Sequence, residues 1–178
     1  MGLKRFHLWD FDKVEEHNLP NQFFTETDLG QDKAWETGKH ILEFNSTANV
    51  EYNIKKFKPK DSFSSQIVIS CVDTMKARKT IFESCLKCKS VQLFIDTRMA
   101  GLQGQVYTVD MNNKEQITNY KKTLFNDDDA VQERCTARSI LFTVLGIASI
   151  VCSQTIKALN GEQLKNYTIL DYNTNQIY

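Results

Sequence analysis

The sequence predicts an α/β fold: an open, mostly parallel sheet with helices on both faces and antiparallel strands toward its C-terminal part. Three observations carry that expectation. The run "QIVISCV" at 66–72 is continuously apolar, as a parallel strand covered on both faces would be. Segments of strand character alternate with segments of helical spacing along the first hundred residues, the pattern of parallel strands joined by crossover helices. Finally, "QGQVYTVDM" at 103–111 alternates apolar and polar residues, as an antiparallel strand does.

Residues 5–10, "RFHLWD", read as a short strand that ends in an acid. "DKAWETGKHILEFN" then reads as a helix, with Trp35, Ile41, Leu42 and Phe44 near helical spacing. "NVEYNIKKF" alternates like a half-buried strand, whereas 66–72 is expected at the centre of the sheet. "TMKARKTIFESCLKC" reads as a helix, "VQLFIDT" as a second buried strand, and 103–111 as an antiparallel strand at an edge. "NDDDA" caps and charges the first turn of a long helix from about 130 to 160, which Gly161 stops. "NYTILDYNTNQIY" reads as a strand or small hairpin within a C-terminal appendage, 161–178.

A chain of 178 residues with 41% hydrophobic and 25% charged residues is enough for one domain with its own core. Lys plus Arg and Asp plus Glu are equal at 22 each, so no global field favours a nucleic-acid polymer or an anionic membrane; a local basic patch stays open. Five cysteines, an odd number without a secretory leader, suit thiols in a reducing cytoplasm. The apolar run "ILFTVLGIASIVC" at 140–152 falls short of the roughly 20 residues of a membrane span and is expected as a buried helix.

In an open α/β sheet, ligands collect beyond the carboxyl ends of the strands, which singles out Asp10 and Asp73. A carboxylate after an early strand can accept hydrogen bonds from ribose hydroxyls, and one after a buried strand can hold Mg²⁺ on a triphosphate. The alternative for each is a cap on the following turn or helix. Cys85 and Cys88 form C-x-x-C without a second pair, so buried thiols are favoured over zinc. Neither Cys71 nor Cys152 adds a matching spacing, and His7, His17 and His40 show no ligand spacing.

The order "DFDKVEEHNLPNQFF", "DLGQDKA", "SCVDTMKAR", "FIDTRMAGLQGQVYTV" resembles the ThiF/MoeB/HesA family, the adenylating superfamily that includes the ubiquitin-activating enzymes. That family reads D-x-D-x-V, N-L-x-R-Q, G-x-x-K and then a strand ending in T-D-N-x-x-x-R. The resemblance covers about residues 1–160 and implies a Rossmann-like fold. It also implies ATP and Mg²⁺ as cofactors: Asp10 on the ribose, Asn18 and Gln22 near the phosphates, Lys33 on the phosphates, and Asp73 on Mg²⁺. Asp73 and Lys33 are the implied catalytic pair, and Arg78 is implied as structural. The implied reaction converts the C-terminal carboxylate of a ubiquitin-like or sulfur-carrier protein into an acyl-adenylate. A homodimer or partner chain is implied too, and Cys135 lies where some relatives carry a thioester-forming cysteine.

Two departures shape the alternative. Asn21 stands where the family has arginine, and its neutral carboxamide replaces neither the charge nor the bidentate geometry. Nine residues precede Asp10, too few for the first strand, glycine-rich loop and helix of a dinucleotide-type fold. A late gene start, a split chain needing a partner, and an inactive relative all account for this. The inactive case is an interaction module that binds a carrier protein without turning over ATP.

Overall fold

The computed structural model describes residues 2–126 and 141–178. The chain divides into two compact units, Met1–Phe57 and Lys58–Tyr178. The acidic run 127–129, the first part of the expected long helix and Cys135 lie outside the described residues.

In the first unit, β1 (Arg5–Trp9) and β2 (Asn49–Asn53) pair in parallel, with Arg5 opposite Asn49 and Trp9 opposite Asn53. Helix α1 (Lys33–Phe44) makes the crossover that parallel strands require. The helix has the expected bounds but a different inward face. Phe44 is 80% exposed and Trp35 half-exposed, whereas Ala34, Glu36 and Gly38 are buried. Ala34 and Gly38 suit that face because α1 lies close to β2: a Cβ on Gly38 would meet Tyr52 Cζ at 2.8 Å. The Trp35 and Tyr52 rings then pack at the edge of that contact, 4.9 Å between centroids.

The second unit is built on a five-stranded sheet in the order β3 (Ile67–Ser70), β4 (Leu93–Ala100), β5 (Gln103–Asp110), β6 (Tyr167–Asp171), β7 (Gln176–Ile177). β3 and β4 are parallel; every later pairing is antiparallel. Two positional expectations are corrected here. Among the described residues β3 is the terminal strand of this sheet, with Ile69 47% exposed, because an apolar β-branched run reports strand propensity and not the number of neighbouring strands. β5 is antiparallel as expected but interior, paired with both β4 and β6. Residues 161–178, expected as an appendage, contribute β6 and β7 to the sheet.

Alternation along β4 sends its side chains to two covered faces. Leu93 and Ile95 join Val106 and Leu170 beneath Ile147 and Val151 of α4 (Leu141–Leu159). Gly104 permits that approach: a Cβ there would lie 2.6 Å from Ile147 Cγ1. On the opposite face, Phe94 packs with Phe82 of α2 (Met75–Lys87) and Tyr120 of α3 (Lys114–Lys121), the centroids 5.1 and 5.3 Å away. Helices therefore cover both faces, as the sequence predicts. α3 has no counterpart among the expected elements. Its signal was the Asn113 cap, which accepts hydrogen bonds from the Glu115 and Gln116 amides.

α4 ends where expected. Gly161 takes φ +68°, and the Gly161 and Glu162 amides donate to the Ala158 and Lys157 carbonyls, a Schellman closure. With 19 residues and a mean hydropathy of 1.5, α4 is long and apolar enough to cross a membrane by length and composition. Here it packs on β5, leaving Phe142, Leu145 and Leu159 exposed.

Candidate functional site

Asp10 directly follows β1, where its amide donates to the Asn53 carbonyl at 3.2 Å. Its Oδ1 accepts the Asp12 amide at 2.9 Å, so one carboxylate oxygen shapes the turn. Partial burial holds this carboxyl above its ordinary range; the Asp12 charge adds to that, and Lys33 opposes it.

Lys33 reaches this turn through a short zipper. The Val14 amide donates to Gln31, the Gly30 amide to Val14, and the Lys33 amide to Asp12. Gly30 takes φ +78°, a left-handed conformation that suits glycine and lets the chain reverse there. As a result the Lys33 ammonium, its side chain only 13% exposed, lies 4.0 Å from Asp12 Oδ2. Asp10, Asp12 and Lys33 thus share one locality. Asp12 was left without a role in the sequence reading, although the D-x-D pattern contained it.

Asn18 and Gln22 sit in one turn. Asn18 is buried; its Oδ1 accepts the Glu15 amide at 2.9 Å, and its carbonyl accepts the amides of Asn21 and Gln22. The side-chain oxygen of Asn18 therefore organises the turn. The Asn21 side-chain oxygen is buried there without a hydrogen-bond partner among the described residues.

A cluster missed in the sequence lies in the same unit. Asp28, Glu36 and His40 bring three potential ligand atoms within 4.8 Å of one another. Glu36 and His40 are one turn apart on α1, the signal that was available. Each acid is already engaged. Asp28 Oδ2 accepts the Thr25 amide at 2.7 Å and its hydroxyl at 2.9 Å, and Glu36 takes Lys39 at 2.6 Å. Burial disfavours the Asp28 carboxylate, but those two bonds and His40 outweigh it and hold its carboxyl below the ordinary range.

That depression has a pH consequence with a definite sign. Asp28 contributes its full stability above the unfolded carboxyl value, about 4, and loses it as the pH falls through the lower folded value. Asp28→Asn is expected to flatten the acid limb of the thermal-unfolding profile between neutral pH and pH below 4. Equally steep profiles in variant and wild type would refute that assignment.

In the second unit, Asp73 lies exposed between β3 and α2. The alternative of a helix cap falls to its neighbour: Thr74 Oγ1 accepts the Ala77 amide at 3.2 Å. Among the described residues no hydrogen bond or ion pair engages the Asp73 carboxylate. Arg78 is buried one turn into α2. It donates twice to the Val72 carbonyl, at 3.0 and 2.8 Å, and once to the Thr97 carbonyl, at 3.2 Å.

Cys71, Cys85, Cys88 and Cys152 are free cysteines. Cys85 is 2% exposed, and burial pushes it up to about 12. Cys88 donates to the Phe63 carbonyl at 2.8 Å. Among the described residues no three-ligand cluster includes a cysteine.

The ThiF family matches the chain over residues 1–178. A relative named probable molybdopterin-synthase adenylyltransferase, from Porphyra purpurea, is 24% identical over 97% of this chain and 46% of its own length. Ubiquitin-like modifier-activating enzyme 5 of Drosophila pseudoobscura pseudoobscura is 31% identical over 47% of this chain and 25% of its own. Among solved structures, PaaA superposes with a TM-score of 0.74 at 18% identity, over 98% of this chain and 55% of that one. Escherichia coli MccB with ATP gives 0.73 at 14%, over 99% and 56%. The chain therefore spans about half the length of these solved structures and of the Porphyra relative. Taken with an acid directly after β1, another in the turn between β3 and α2, and helices on both sides of the second unit's sheet, the match over its whole length shows that the chain belongs to the ThiF family.

Proposed function

We propose that the chain is the ATP- and Mg²⁺-using part of an adenylyltransferase that activates the C-terminal carboxylate of a ubiquitin-like or sulfur-carrier protein. The single observation that carries this reading is Asp73: an exposed carboxylate in the turn between β3 and α2 whose capping duty is taken by Thr74. Mg²⁺ is commonly held by one or two carboxylates together with substrate phosphates, so an exposed acid that no described residue engages fits the ion. Asp10 fits a ribose in the same sense, since Asp12 occupies only its Oδ1.

In this reading Asp10 orients the nucleoside through its hydroxyls, and Lys33 places a positive charge beside the phosphates. Asn18 holds the turn that carries Gln22, and Gln22 supplies a polar contact nearby. When bound, ATP supplies the adenylyl group and Mg²⁺ neutralises phosphate charge. An oxygen of the carrier's carboxylate attacks the α-phosphorus, the bond to the bridging oxygen breaks, and pyrophosphate leaves. The contribution of these residues is positioning and charge neutralisation.

A cytoplasmic location belongs to the same reading, in keeping with the free thiols of Cys71, Cys85, Cys88 and Cys152. So does a homodimer or partner chain, supported by the exposed apolar residues of α4. The second reading, an inactive module, is favoured by Asn21, whose buried oxygen sits where an arginine would bring charge. Carrier-dependent exchange of pyrophosphate into ATP separates the two. Exchange that Asp73→Ala lowers by about 10²–10³-fold, the usual loss for a group stabilising transition-state charge, supports the enzyme. Carrier binding without exchange supports the module.

A further inference from the structure

Asp96 of β4 is fully buried, at 0% exposure, between two guanidinium groups. Its Oδ1 lies 3.1 Å from Arg78 Nη1, and its Oδ2 accepts Arg98 Nε at 2.9 Å. Each arginine also reaches backbone carbonyls. Arg98 donates to the carbonyl and hydroxyl of Thr123, just past α3, at 3.0 and 2.8 Å, and its guanidinium stacks over Tyr107 at 4.4 Å. Arg78 donates to the Val72 carbonyl, the peptide that leads directly into Asp73. A further bond, from Thr97 Oγ1 to the Ser70 carbonyl at 3.3 Å, ties down the other end of the same turn.

We propose that the buried Arg78–Asp96–Arg98 relay is a positioning device for Asp73, anchoring the turn between β3 and α2 to the sheet and to the end of α3. The inference rests on the reading of Asp73 as the Mg²⁺ ligand. Among the described residues no neighbour holds the Asp73 carboxylate by its oxygens, so its direction depends on how its backbone is held. Burying three charges for ordinary stability is a poor device, because a well-packed apolar set commonly does as well or better. A planar guanidinium that sets two N–H donors on the one carbonyl oxygen of residue 72 is suited to fixing its direction, and the single ammonium of lysine does not reproduce that planar fork. None of the three residues touches substrate in this scheme; they act through Asp73.

The test uses the full chain with Arg78→Lys, which keeps a positive charge for Asp96 and removes the fork on Val72. Amide hydrogen exchange is followed at residues 71–74, and Mn²⁺ affinity is measured with and without ATP by electron paramagnetic resonance. At least tenfold faster exchange in that turn is expected, with β4 and β5 protection within twofold of wild type and ATP-dependent Mn²⁺ affinity at least tenfold weaker. If Arg78→Lys loses sheet protection, Asp96→Asn, which keeps the side-chain shape, is read the same way with a smaller effect of about threefold. Unchanged exchange at 71–74 overturns the proposal whatever the function of the site. A loosened turn with unchanged Mn²⁺ affinity also overturns it, provided Asp73→Ala itself weakens Mn²⁺. If Asp73→Ala leaves Mn²⁺ affinity unchanged, the reading of Asp73 fails, and the positioning role fails with it.

Discussion

Asp96→Ala is expected to destabilise the second unit by about 3–5 kcal/mol, the cost of removing one partner from a buried ion pair. The substitution leaves Arg78 and Arg98 facing each other's charge with nothing between them, while their other donors hold them to the Val72, Thr97 and Thr123 carbonyls. Neither guanidinium can shed its proton to relieve the cost. Burial raises the Asp96 carboxyl from its ordinary range, and the attraction of Arg78 and then Arg98 works against that rise. A loss of this size is a large share of the 5–15 kcal/mol typical of a domain. Urea unfolding followed by far-UV circular dichroism measures it as a lowered midpoint at constant slope. A loss under about 1 kcal/mol, the range of an exposed pair, would remove Asp96 from its place as the hub.

Phe94→Ala should cost a similar amount, about 3–5 kcal/mol, by a different route. Phe94 sits on β4 two residues before Asp96, on the same face, and is fully buried. Its ring meets Phe82 of α2 and Tyr120 of α3 at 5.1 and 5.3 Å, and those two rings meet each other at 4.5 Å. Truncation opens a hole that this three-ring contact can refill only by moving a helix. Phe94→Leu, which keeps most of the volume, is expected to cost less than about 1.5 kcal/mol. The same denaturant experiment separates the two variants. Equal losses for alanine and leucine would show that ring geometry, and not filled volume, sets the energy.

The bounds of β1, α1, β3 and α2 were legible because each is a local pattern: an apolar run or a helical spacing closed by a capping or breaking residue. α3 was not legible. Ile117 and Tyr120 give eight residues almost no apolar period, and the helix forms because Asn113 caps it and Tyr120 reaches Phe82 and Phe94. The rank of β3 in its sheet and the interior place of β5 were equally hidden: β5 gains its second neighbour from β6, far along the chain, and such a pairing leaves no periodic trace. For the candidate site, the acids at strand ends were readable as types in positions. Which of them is engaged was not: Thr74 relieving Asp73, and Asp12 occupying one oxygen of Asp10, depend on where backbone amides point.

The amino-acid sequence by itself determined the α/β class, the family motifs and the chemical nature of the candidate ligands, because local hydrophobic period and residue type are enough for those. Only the tertiary structure decided that Asp96, eighteen residues beyond Arg78, lies against it, and that the pair holds the peptide before Asp73. Pairing of buried charges is a property of register between β4 and α2. No single segment encodes that register; the packing of the whole sheet selects it.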